Sequence, residues 1–74
     1  MPKLPLVSGK TAIEVFIKIG YQVVRKKGSH FRLHHPNKRP LTIPDHQVLG
    51  KGLLRKLLRD SELSPKDFLR LIKR

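Results

Sequence analysis

From His30 to His35 the sequence runs His-Phe-Arg-Leu-His-His, and this alternation leaves few folds open. Successive side chains of an extended strand point to opposite faces, so Phe31 and Leu33 share one face and His30, Arg32 and His34 the other. A strand of this kind wants an apolar layer on one side and a polar surface on the other. Its neighbours complete the pattern. Tyr21-Gln22-Val23-Val24-Arg25-Lys26-Lys27 reads as a preceding strand, β-branched and aromatic in its first half. Lys27-Gly28-Ser29 is the turn between the two, with Gly28 free to adopt positive φ. Pro36-Asn37-Lys38-Arg39 is a second turn, and Leu41-Thr42-Ile43, set between Pro40 and Pro44, is a short edge strand. Short turns between three strands make an antiparallel meander, which is stable only when one face is covered.

The cover comes from three helical segments. Ser8 is placed to cap a helix in which Ala12, Ile13, Phe16 and Ile17 recur at helical spacing, with Gly20 as its stop. Leucine pairs four apart, Leu53-Leu54 and Leu57-Leu58, mark a second helix opening near Lys51-Gly52. Ser64-Pro65-Lys66-Asp67 carries a cap serine, a proline at the first position and an acid in the first turn, and so starts a third helix, with Phe68, Leu69, Leu71 and Ile72 on its apolar side. Lys73-Arg74 would complement the carboxyl end of that helix. Residues 1–7, with two prolines and no periodicity, read as an extended arm on a single domain spanning 1–74. The expected class is α+β in the order α-β-β-β-α-α, with the helices on the face of Phe31, Leu33, Leu41 and Ile43, and with His30, Arg32, His34 and Thr42 on the open face.

Charge then narrows the partners. Seventeen Lys and Arg stand against five Asp and Glu, for a net charge of +12. No acid occurs from Val15 to Pro44, and residues 21–39 hold Arg25, Lys26, Lys27, Arg32, Lys38 and Arg39. A surface made only for solubility mixes both signs, so this unmixed stretch points to a polyanion. Length and composition exclude several classes. Seventy-four residues leave no room for a two-lobed cofactor enzyme. The absence of cysteine removes disulfides, thiolate metal sites and cysteine nucleophiles. The apolar runs are too short for a membrane span, and the first residues lack the apolar core of a signal peptide. The expectation is a cytoplasmic domain that needs no cofactor.

Within the basic stretch, Lys26-Lys27-Gly28-Ser29-His30 places a histidine at a strand start directly after a glycine turn, among cations. Imidazole exchanges protons near neutral pH without special tuning. RNA cleavage needs a base for the 2′-hydroxyl proton, an acid for the departing 5′-oxygen and cations for the phosphorane. His30 with Lys26, Lys27 and Arg32 matches those needs, with Ser29 in the same turn; the plainer reading is a surface histidine that merely touches phosphate. Lys38 and Arg39 in the second turn are further candidates for RNA contact. So is Lys51, which opens a helix whose amino end favours anions. The other helical cations, Lys10, Lys18, Arg55, Lys56 and Arg59, suit an ordinary solvated face. A metal site is not expected: His30 and His34 lie about 13 Å apart at the rise of a strand, and His34 and His35 point to opposite faces. The three Phe fit core positions, leaving Tyr21 open between core and surface.

These pieces in this order resemble the HicA (YcfA-like) toxins. The resemblance rests on Ser8-Gly9-Lys10, Gly20-Tyr21, Val24 through His30, His35-Pro36, Thr42-Ile43-Pro44, Lys51-Gly52-x-Leu54-Arg55 and Leu63-Ser64-Pro65, and it covers nearly the whole chain. It implies a fold like the double-stranded-RNA-binding domain. It also implies an mRNA interferase, an endoribonuclease of a type II toxin–antitoxin pair that blocks translation, neutralised by a HicB-type antitoxin. The family's active histidine falls on His30. Leu53 stands where the family often carries threonine, so a hydroxyl cap is missing there. Two other readings remain beside it: a non-catalytic module that recognises duplex RNA by shape, and a ribosomal or architectural protein in which no single cation is decisive. Sequence-specific DNA readout is disfavoured, since no helix-turn-helix spacing is present.

Overall fold

A computed structural model describes residues 3–72. Its elements are α1 (Gly9–Lys18), β1 (Gln22–Lys27), β2 (His30–His34), β3 (Leu41–Pro44), α2 (Lys51–Ser61) and α3 (Pro65–Ile72), in the order expected. Met1 and Pro2 of the expected arm, and Lys73 and Arg74, lie outside the described residues. Local signals set the helix ends. The Ser8 hydroxyl accepts the Thr11 N–H at 3.1 Å, and Ser64 does the same for Asp67, each satisfying one of the free donors of a first helical turn. At the other end of α2, Glu62 takes the left-handed conformation, with φ 58. The N–H groups of Glu62 and Leu63 then return to the carbonyls of Arg59 and Leu58, closing the helix as a glycine usually does.

The sheet is an antiparallel meander in the order β1-β2-β3. All six residues of β1 are exposed, whereas β3 is buried at Leu41, Ile43 and Pro44. The helices lie on one face. α1 and α2 touch β3, and α3 packs on α1, where the rings of Phe16 and Phe68 are 6.2 Å apart. Tyr21, just before β1, is buried with its ring edge-on to Phe16 at 5.8 Å. Phe16, Phe68, Leu33, Leu41, Ile43 and Leu54 are all fully enclosed, and burial of each such side chain contributes about 1.5–3 kcal/mol. The described part of the arm has no regular structure, yet Leu4 and Val7 lie on the core. Phe31 is the exception among the phenylalanines: it is half-buried, packed against the edge of the core.

Two features bring the sheet and the helical layer into register. The Gly9 N–H donates to the His46 carbonyl at 2.9 Å, and the Asp45 N–H donates to the Ser29 carbonyl at 2.6 Å. The start of α1, the chain beyond β3 and the β1–β2 turn therefore meet at one end of the sheet. At the other end, His35 Nδ1 accepts the Asn37 N–H at 3.0 Å. Its Nε2 lies 3.0 Å from the Ile19 carbonyl, so the proton of the neutral ring sits on Nε2 and is donated there.

Candidate nucleic-acid interface

The β1–β2 turn decides which cations share a face with His30. Gly28 has φ +59 and is the first of two turn residues, and among the described residues Ser29 has no positive φ. This is the pattern of a two-residue hairpin with glycine leading. Lys27 then pairs with His30, Lys26 with Phe31 and Arg25 with Arg32. Paired residues point to the same side, so Lys27 and Arg25 join His30 and Arg32 on the open face, whereas Lys26 lies on the helix side. There its ammonium sits 5.1 Å from the centre of the Phe31 ring, a cation–π contact. The expected grouping of Lys26 and Lys27 around His30 is therefore split: Lys27 stands beside the histidine, and Lys26 closes over the edge of the core.

Arg25 is the residue that sequence reasoning missed. A bulge falls between Val23 and Arg25, so Val23 faces inward with Leu33 while Arg25, two residues on, faces outward with Arg32. Counting back from the Gly28–Ser29 turn by twos reaches Lys27 and then Arg25, and that parity was the available signal.

His30, Arg25, Lys27, Phe31, Arg32 and Thr42 line an open groove of about 210 Å³. A second depression continues along the same face past Arg25 and Arg32 to Val24 and His34. No carboxylate lines either one. Arg32 is oriented within the groove, because its Nη1 donates to the Thr42 hydroxyl at 2.8 Å. Ser29 is exposed in the turn, and its carbonyl holds the Asp45 N–H. The groove thus offers one imidazole, three cations, one of them the oriented guanidinium of Arg32, and open access. Those groups suit proton transfer at a phosphate and hold no preformed metal cage: among the described residues no three His, Asp or Glu side chains converge.

The remaining candidates stand elsewhere. Lys38 Nζ donates to the Ser61 carbonyl at 2.8 Å and so caps the end of α2. Arg39 follows it at the end of the sheet remote from His30, where it shares a depression with Lys56, Arg59 and Asp60. The hydrogen bond from Lys56 holds the Asp60 carboxyl below its ordinary range, so that depression contains a negative charge as well as positive ones. Lys51 is exposed at the first position of α2, after an N-cap Gly50 that makes no side-chain cap.

A family sequence model described as the HicA toxin of bacterial toxin-antitoxin matches residues 9–63. That stretch runs from the first residue of α1 to just beyond α2 and includes the whole open face. No curated protein matches the chain.

Proposed function

Since the chain belongs to the HicA toxin family and is the toxin of a toxin–antitoxin pair, we propose that it acts as an endoribonuclease on mRNA, with His30 as its proton-transfer group. The observation that carries this reading is the groove in which His30 sits among Arg25, Lys27 and Arg32 with no carboxylate. RNA supplies its own nucleophile. His30 takes the proton from a 2′-hydroxyl, the 2′-oxygen attacks the adjacent phosphorus, the bond from phosphorus to the 5′-oxygen breaks to leave a 2′,3′-cyclic phosphate, the departing 5′-oxygen takes up a proton from solvent, and the imidazolium returns its own proton to solvent. Lys27 and Arg32 offset the charge that gathers on the phosphorane oxygens, a role in which fixed donors outperform water. Charge stabilisation is assigned to these side chains rather than to a metal. Lys26 lies over Phe31 on the helix side, and Ser29 is exposed in the turn before His30. Lys38, Arg39 and Lys51 lie off it and at most extend the grip on RNA. The antitoxin, which we take to be of the HicB type, would present acidic side chains to a surface of this charge. No helix among the described residues is long and apolar enough to cross a membrane.

The test is RNA degradation by purified protein in EDTA, for wild type and His30→Ala, with circular dichroism to show both folded and binding measured at one stated salt. Cleavage by wild type, and binding without cleavage by the variant, is the expected result. Equal cleavage by both proteins would remove His30 from the chemistry. Binding without cleavage by either would make the chain an RNA-binding relative without nuclease activity.

A further inference from the structure

The open face is organised along its length as well as at His30. Going down β2, Lys27 stands opposite His30, Arg25 opposite Arg32, and Gln22 opposite His34. The two depressions join these rows into one course from His30 to His34, about 13 Å long at the rise of a strand. A duplex-binding domain that reads A-form shape must reach two successive minor grooves, which takes a far longer contact. A strand buried in a duplex also keeps its 2′-oxygens out of line with the bonds to be broken, whereas a strand laid open on a sheet is free to align them.

Arg32 provides the second observation. It is half-buried and lines the groove, and its hydrogen bond to Thr42 on the next strand holds the guanidinium in one orientation. Apart from the imidazoles of His30 and His34 at its two ends, no aromatic ring is presented on this face among the described residues, since the ring of Phe31 lies under Lys26 on the helix side. Between those ends, a guanidinium plane is the group able to carry a stacked, unpaired base.

We propose that the open sheet face is a track for single-stranded RNA, in which Arg32, positioned by Thr42, carries an unstacked base while Arg25 and Lys27 hold the flanking phosphates. This rests on the reading of the chain as a toxin acting on RNA. Thr42 is a positioning residue here, and Arg25 a binding residue outside the proton-transfer chemistry. His34 bounds the far end of the course.

The experiment measures binding by fluorescence anisotropy at several salt concentrations. The probe is a mixed-sequence RNA of about twelve nucleotides, 2′-O-methylated throughout so that it resists cleavage, used single-stranded and annealed to its complement. The single strand should bind tighter than the duplex by a factor of about ten or more. Arg25→Ala should reduce the salt slope for the single strand by about 0.7, the loss of one phosphate contact. Thr42→Val should weaken binding about two- to fivefold with the salt slope unchanged, and Thr42→Ser, which keeps the hydroxyl, should restore it. Lys66→Ala, which removes the same charge from an exposed position on α3, should change neither quantity. Equal or tighter binding of the duplex would overturn the track. So would a Lys66→Ala effect as large as that of Arg25→Ala, which would reduce the binding to net charge. Cleavage by wild type with a duplex preference would sink the track and leave the nuclease reading standing. A track without cleavage would do the reverse.

Discussion

Lys27 and His30 face each other as the last pair of the β1–β2 ladder, separated in sequence only by Gly28 and Ser29. The position of the imidazole relative to Lys27 therefore depends on the turn. Gly28 needs φ +59, and a Cβ there would meet no atom within 4 Å. Gly28→Ala should cost about 1–3 kcal/mol through backbone strain alone. RNA cleavage at saturating substrate should fall with it, although every functional side chain is retained. Denaturant melts and single-turnover kinetics check the two effects; unchanged stability would show that the turn accepts a side chain.

The histidines should separate by role. His35 is tied to Ile19 and Asn37, and its ring lies 4.9 Å from that of Tyr21. His35→Ala should destabilise the fold by roughly 1–3 kcal/mol, through lost hydrogen bonds and packing. Exposed His30→Ala should stay within about 0.5 kcal/mol of wild type. Urea midpoints decide it, and the reverse order of the two variants would contradict these placements.

Close approach of backbones at Gly9 gives a third expectation. A Cβ on Gly9 would fall 2.0 Å from the Pro44 carbonyl oxygen, and neither backbone has room to yield. Gly9→Ala should lose about 2–3 kcal/mol or fail to fold. Gly52→Ala, in the open first turn of α2, should gain up to about 1 kcal/mol. A Gly9→Ala protein as stable as wild type would mean that α1 does not sit against β3 as described.

Tyr21 links stability to alkaline pH. Its hydroxyl donates to the Arg39 carbonyl at 2.9 Å. Burial, aided by the carboxylates of Asp60 and Glu62, pushes the phenol above its ordinary value of 10.0. The folded value thus exceeds the unfolded one. The protonated ring's contribution is full below pH 10.0 and is lost as pH rises through the folded value. Tyr21→Phe should cost about 1 kcal/mol at neutral pH and should lose stability less steeply than wild type above pH 10. Lysine titration is common to both proteins, so parallel profiles in that range would dismiss the linkage.

Signals confined to a few neighbouring residues were legible in the sequence. Ser8 and Ser64 announce helix starts with their own side chains, Gly20 ends α1, and the alternation of His30 through His34 fixes the two faces of β2. Features that depend on pairing were not legible. Strand alternation separates Lys26 from Lys27, but only the register against β2 decides which of them joins His30. Val23 turns to the side of Leu33 because of an extra residue at Val24, which composition does not mark. Lys38 reads as a free cation until its partner, the Ser61 carbonyl twenty-three positions away, is folded beside it. Tyr21 was ambiguous for the same reason: its hydroxyl partner at Arg39 comes from the loop before β3.

The irregularity at Val24 has a bearing on how the molecule behaves in a crowded cell. β1 is a free edge, exposed at all six residues, and the side chains of Val23, on the side of Leu33, and Val24 are about half open to solvent. A flat edge of that kind is a template on which further copies could add strand by strand. The bulge interrupts the row of amide and carbonyl groups such addition would need, and Arg25, Lys26 and Lys27 repel a like-charged neighbour. One extra residue therefore makes this edge of a highly charged toxin a poor template for the addition of further strands.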